Sequence, residues 1–182
     1  MSDTCSFSGE YLRDYLTGRR LPETDDEQIR QKIERLLVEE KGWDPLDLEV
    51  DHRFQVSADG RTEAGRAELV AFVGGRPFMT IRNSRGSIGS RETEAVAASR
   101  LAFDEQVPLT VVTNGREAEL IDTLTGKVLA EGLEAIPAKE TALAMAPGLK
   151  YEPCSEKRRL MASRIYLAYA TIDCAWMCGQ GL

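Results

Sequence analysis

The sequence predicts an α/β domain, a mixed β-sheet flanked by helices, and three observations carry that prediction. A helical pattern opens at residue 25, two groups of short turn-bounded strands follow, and an alanine-rich helical segment separates the groups. The first helix has Thr24 or Asp25 as its N-cap and acids in its first turn, with Ile29, Ile33, Leu36 and Leu37 at helical spacing and Gly42 as its stop.

A strand over Leu46 to Val56 comes next, and Ala58-Asp59-Gly60 forms a turn. The stretch AELVAFVGGRPFMTIRNS, Ala67 to Ser84, reads as a hairpin. Its apolar runs, Glu68 to Val73 and Pro77 to Ile81, are joined by Gly74-Gly75, a pair able to take the positive φ angles of a tight turn. Ser84 to Ser90 is a small-residue loop, and Arg91 to Phe103 is a small-faced helix with Ser90 as the expected N-cap. Pro108 to Thr113, the Asn114-Gly115 turn, Glu117 to Asp122 and a further turn at Thr125-Gly126 towards Val128 supply two or three more strands. The helix between Ile81 and Leu109 then serves as a crossover, which a parallel strand pair requires.

Residues 1–24 read as an irregular arm with one helical turn around Tyr11 to Leu16, closed by Pro22. Beyond Pro137 the pattern is helical again: Ala138 to Met145, a break at Pro147-Gly148, and an amphipathic helix over Ser155 to Ile172. The expected organisation is an arm (1–24), a domain (25–136) and a C-terminal helical extension with a cysteine-bearing tail (137–182).

Composition narrows the function. A chain of 182 residues fits one domain with a sizeable core. Its net charge of -7 argues against indiscriminate coating of nucleic acid by counterion release. Charge is uneven, however: residues 61–100 hold seven arginines and four glutamates, a net +3, leaving -10 elsewhere. A local basic face of Arg76, Arg82, Arg85 and Arg91 is therefore a candidate for phosphate contacts. No apolar leader or membrane-length run is present, so the expected setting is the cytoplasm, with no membrane partner. His52 is the sole histidine, which leaves histidine-based triad or metal chemistry nothing else to draw on. The SRGSIGS loop lacks the Gly-x-x-x-x-Gly-Lys pattern of a nucleotide-phosphate loop.

Four segments together carry a family resemblance: DDEQIRQKIERLLVEEKGWDPLDLEVDHRF, AELVAFVGGRPFMTI, RETEAVAASRLAFDEQVPL and TVVTNGREAELIDTLTGKVL. In that order, over about residues 25 to 130, the chain resembles the N-terminal domain of type I restriction enzyme R subunits, which also occurs alone in bacterial and archaeal proteins. The resemblance implies a restriction-endonuclease-like sheet of the PD-D/ExK kind, binding Mg²⁺ and DNA phosphate, with restriction-modification or other proteins as partners. It makes Glu68 the metal-ligating acid of the first motif strand and offers Glu27 or Glu34 as an accessory acid. The second motif departs from the family: the acid-x-lysine positions fall on Arg82 and Ser84, or, with a one-residue slip, on Ile81 and Asn83. Arg82 or Arg85 can hold the positive charge that the lysine would supply, and Glu92 or Glu94 is the candidate for a relocated second acid. The expectation is a nuclease fold with a degraded motif, serving DNA binding or complex formation. Its alternatives are an active Mg²⁺-dependent endonuclease and an interaction protein with no nucleic-acid role.

Cys5, Cys154, Cys174 and Cys178 form the remaining constellation. Four thiolates satisfy tetrahedral Zn²⁺ or an iron-sulfur cluster, and some nucleases of this broad fold join their two ends in that way. The C-x3-C spacing here is not theirs, and free thiols are the simpler expectation.

Overall fold

Leucine and β-branched residues recurring on alternate positions build the central sheet, which runs in the order β3-β4-β5-β6-β7-β8 in a computed structural model describing residues 10–178, with side chains described to residue 171. The strands are β3 (Leu48–Ala58), β4 (Arg61–Val73), β5 (Arg76–Asn83), β6 (Leu109–Thr113), β7 (Ala118–Asp122) and β8 (Lys127–Glu131). All neighbours are antiparallel except β5 and β6, which are parallel and joined through α2 (Glu92–Leu101). The expected mixed sheet with a helical crossover is therefore present.

Each face is covered because the pleat separates two apolar sets. Leu69, Ala71, Met79, Ile81, Leu109 and Val111 pack with Ile33 and Leu37 of α1 (Asp25–Arg35), and Ala142 of α3 (Lys139–Met145) joins them. On the other face lie α2 and α4 (Glu156–Cys178). Ala95, Ala97, Ala98 and Ser99 let α2 approach closely. Ser99 shares hydrogen bonds with Thr80 and Thr110, so the hydroxyl groups buried beneath the helix are satisfied.

Local chemistry sets the boundaries. Thr24 caps α1 by accepting from the Glu27 N–H at 3.2 Å, a contact worth about 1 kcal/mol in such positions. Gly74 and Gly75 take φ of 59° and 78°, the turn that joins β4 to β5. β4 starts well before Glu68, at Arg61, because the Asp59-Gly60 turn already closes a long β3–β4 hairpin.

Two expectations are corrected. Around residue 11 the chain forms a hairpin, β1 (Tyr11–Arg13) with β2 (Arg20–Pro22), where a helical turn was expected. Asp14 makes the difference: its Oδ1 accepts from the Thr17 N–H at 2.7 Å and the Thr17 hydroxyl at 2.6 Å, and Gly18 supplies φ of 69°. Ser90 does not cap α2; its hydroxyl donates to the Ser87 carbonyl at 2.7 Å within a 3-10 turn over Ile88–Ser90, so the helix begins at Glu92.

The helix α4 is anchored by aromatic contacts. The Phe54 ring of β3 meets Tyr166 edge-on with centroids 5.6 Å apart, and the bare Cα of Gly65 makes room for that ring. A Cβ at residue 65 would overlap Phe54. Gly65→Ala is thus expected to cost about 1–3 kcal/mol by overpacking, measured by urea unfolding, with β3 and α4 losing amide protection first. An unchanged midpoint would show that the ring has somewhere to go.

A candidate site around Glu68

Glu68 lies on β4 one step beyond the Leu69–Ile81 pair, so it faces Arg82 of β5 across the ladder. Its side chain is 6% exposed. One carboxylate oxygen, Oε2, accepts from the Asn83 backbone N–H at 2.8 Å and from Asn83 Nδ2 at 2.9 Å. The other, Oε1, accepts from Arg82 and, at 3.2 Å, from Arg66. Both oxygens are thereby committed to protein donors.

Arg82 does not stop at Glu68. Its guanidinium reaches Glu94 Oε1 at 3.1 Å, and Arg91 holds Glu94 Oε2 at 2.8 Å. Glu94 is 7% exposed and comes from the first turn of α2. The crossover helix therefore brings a second buried carboxylate opposite Glu68, with Arg82 between them. On the outer side Arg66 bridges Glu68 to Asp51, its Nη1 lying 3.1 Å from that carboxylate. Asp51, Arg66, Glu68, Arg82, Glu94 and Arg91 form a row in which acids and bases alternate and formal charges cancel.

Asp51 carries a backbone signature as well. It has φ of 59°, left-handed, in the middle of β3. The pairs Val50–Leu69 and His52–Ala67 flank it, which sets Asp51 opposite Glu68 but out of the regular ladder. Non-glycine residues in this conformation are uncommon and concentrate where side-chain placement matters.

Neighbouring elements fix the row. Tyr166 of α4 both accepts from the Arg66 N–H at 2.9 Å and donates to the Arg66 carbonyl at 3.3 Å, and burial raises its phenol above the usual range. Tyr169 donates to the Ser90 carbonyl at 3.1 Å, beside Arg91. From α1, Asp26 pairs with Arg85 at 3.0 Å. Partial loss of solvent, then the Glu68 charge, holds the Asp26 carboxyl above its ordinary value, against the pull of Arg85.

Other residues singled out by sequence are placed elsewhere. Glu27 bonds Arg30 and Gln31, and Glu34 is fully buried against Arg30, so both serve the contact between α1 and the Asp14 turn. Arg76 pairs with Glu105 at 2.7 Å and lies over the Tyr151 ring. Glu92 points towards Glu119 of β7, leaving Glu94 as the acid that reaches the row. Ser84 is buried, its N–H donating to Thr113 at 2.8 Å. His52 is structural: it stacks on Phe103 at 4.2 Å and bonds the Ala102 carbonyl. Of the cysteines, Cys154 is half-buried, while Cys5 and the Cys174 and Cys178 side chains lie outside the described residues. Among the described residues no group of three or more His, Cys, Asp or Glu is arranged to hold a metal ion.

Asp26, Asp51 and Arg66 are members of the site that no sequence motif singles out. Arg66 was detectable as the residue two before Glu68 on the same strand face; Asp51 and Asp26 needed the tertiary register.

A family profile described as type I restriction enzyme R protein N terminus (HSDR_N) matches residues 25–137. The chain belongs to that family. No curated protein and no solved structure matches the chain. Within this R-protein N-terminal domain, the matched segment runs from the start of α1 past β8 and so contains the whole Glu68 row. No helix among the described residues is long and apolar enough to cross a membrane.

Proposed function

We propose that this chain is a non-cleaving member of the R-protein N-terminal family that works as a complex-forming module, with restriction-modification or other proteins as its partners and the cytoplasm as its setting. The observation carrying this reading is the position of Arg82 between Glu68 and Glu94. A nuclease of this fold would coordinate a divalent cation between two such acids.

Mg²⁺ is a hard cation that binds carboxylate, phosphate and water oxygens. The donor set around Glu68 does not suit it while a guanidinium occupies the space between the carboxylates. A unit charge pair at 4 Å and an effective dielectric near 20 repels by about 4 kcal/mol, and a dication doubles that. Arginine does not deprotonate to relieve the conflict. Ser84, at the family's lysine position, has no cationic group to stabilise charge on a phosphate. The row supports the fold in place of catalysis.

Complex formation is favoured over DNA contact because the arginines of the basic face are already engaged: Arg76 by Glu105, Arg82 by Glu68 and Glu94, Arg85 by Asp26 and Arg91 by Glu94. A second reading, DNA binding, draws support from Lys32 and Arg116 in a shallow groove of about 510 Å³ that Asp25, Arg85 and the Asn114-Gly115 turn also line.

Purified protein incubated with plasmid and Mg²⁺ or Mn²⁺, beside a Glu68→Ala control, is expected to show no Glu68-dependent nicking. Appearance of such nicking would restore the endonuclease reading, with Glu94 as its second acid. A gel-shift series across salt decides the second reading: a complex whose affinity falls steeply with salt, through counterion release, would favour DNA.

A further inference from the structure

We propose that the free edge of β8 docks an extended segment of a partner protein that carries a lysine or arginine and, two positions away on the same face, an apolar residue. The inference rests on the reading of the chain as a complex-forming module and names the surface that would serve it.

The strand β8 closes one end of the six-stranded sheet, so among the described residues the backbone groups along its outer side have no strand partner. All five of its residues are exposed, including Val128 at 41% and Leu129 at 54%. Exposed edges of this kind template strand addition, in which backbone hydrogen bonds give affinity and alternate side chains give selectivity.

The charge around this edge specifies the partner. Glu131 stands directly opposite Glu119 of β7 in the ladder, a like-charge pair that weakens a sheet. Burial and then Glu92, at the start of α2, raise the Glu119 carboxyl above its ordinary value; Glu131 and Glu117 add to the effect. None of these four acids makes an ion pair with lysine or arginine among the described residues, whereas acids elsewhere commonly do: Asp26, Asp51, Asp59, Glu63 and Glu105 each hold an arginine. A cationic side chain laid beside Glu131 would relieve the crowding.

Register fixes the spacing. Glu131 pairs with Glu119 and Val128 with Ile121, two residues apart on one face of β7, so Glu131 and Val128 share the α2 side of the sheet across the irregularity at Leu129. An incoming strand that sets a cation against Glu131 places the residue two positions on, on the same face, near Val128, where an apolar side chain fits. A second copy of this chain is the poorer occupant, since it would bring its own Glu131 and Glu119 to the same edge.

The test uses the full chain and two capped seven-residue peptides, one with lysine and valine at alternate positions of a single face and threonine between them (Lys-Thr-Val-Thr-Lys-Thr-Val), the other with glutamate in place of lysine. Saturable binding of the lysine peptide, with slowed amide exchange confined to residues 127–131, is expected; the glutamate peptide should not bind. Glu131→Lys, an exposed change that removes a repulsion and should fold, is expected to weaken the lysine peptide about tenfold and to admit the glutamate peptide. Binding without protection of 127–131, equal binding by Glu131→Lys, or self-association that occupies the same amides would each overturn the proposal. Glu68-dependent nicking would instead defeat the module reading, whatever the edge does, so the two failures are separable.

Discussion

Replacing Arg82 with alanine is expected to destabilise the protein by about 3 kcal/mol and to make its stability respond to divalent cations. Removing one member of a buried charge network costs about 3–5 kcal/mol, because the partners stay buried without compensation. The lower end applies here, since Glu68 keeps Asn83 and Arg66 and Glu94 keeps Arg91. What remains is two nearly buried carboxylates facing one another across the space that the guanidinium held. A divalent cation can enter that space, and millimolar MgCl2 or MnCl2 should raise the unfolding midpoint of the variant while leaving the parent unchanged. Urea unfolding in EDTA and in MgCl2 measures both effects. A variant as stable as the parent, or a parent that gains equally from Mg²⁺, would show that Arg82 does not stand in for a cation. Arg82→Lys discriminates further: it keeps the charge but replaces a planar fork with a single ammonium, so it should hold Glu68 or Glu94 but not both.

The sheet was legible because its determinants are local. Turn pairs such as Asp59-Gly60, Gly74-Gly75 and Asn114-Gly115 punctuate alternating apolar runs, and the positive φ angles of Asp59, Gly60, Gly74, Gly75 and Gly115 leave little freedom in where the strands end. The crossover followed from a helix lying between Ile81 and Leu109. The arm is illegible for a reason of the same kind: Tyr11 to Leu16 has no period of its own, and an aspartate side chain that folds back on Thr17 decides the conformation.

The site was half legible. Glu68 announced itself as the acid heading an apolar strand, and the mismatch at Arg82, Asn83 and Ser84 was visible in the sequence. Sequence could show only that Arg82 follows the second apolar run, not that it would bond both Glu68 and a glutamate from α2. That relation depends on β4–β5 register and on where the crossover helix starts, and its start was obscured by Ser90, which resembles a cap but bonds within its own turn. The same limit applies to Asp51 and Asp26, brought to the row by a left-handed strand residue and by the first turn of α1.

The largest pH effect should come from Glu34, away from that row. Glu34 is fully buried on α1 near Arg30, Asp14 and Glu27, and burial first, then the Asp14 charge, pushes its carboxyl up to about 7. Three acids thus share one arginine: Arg30 lies 2.9 Å from Asp14 and 3.3 Å from Glu34, and it also bonds Glu27. In the unfolded chain Glu34 ionises near its ordinary 4.5. Between about 4.5 and 7 the folded state therefore binds more protons than the unfolded state, and stability must fall as pH rises through that window. At about 1.4 kcal/mol for each pH unit, the loss across it is on the order of 3 kcal/mol. Asp14 works in the opposite sense but outside the window, since its carboxyl is held below 3.8 through the bonds from Thr17 and the charge of Arg30, against the cost of burial. Glu34→Gln keeps the shape without the proton and leaves Arg30 its other two acids. Its unfolding free energy should decline far less than the parent's from pH 5 to 7.5, the raised Asp26 and Glu119 carboxyls leaving a smaller slope of the same sign, and should exceed that of the parent at pH 8, by urea unfolding at each pH. A parent whose stability does not decline over that range would mean that Glu34 is ionised in the folded chain, and that Arg30 satisfies all three carboxylates at once.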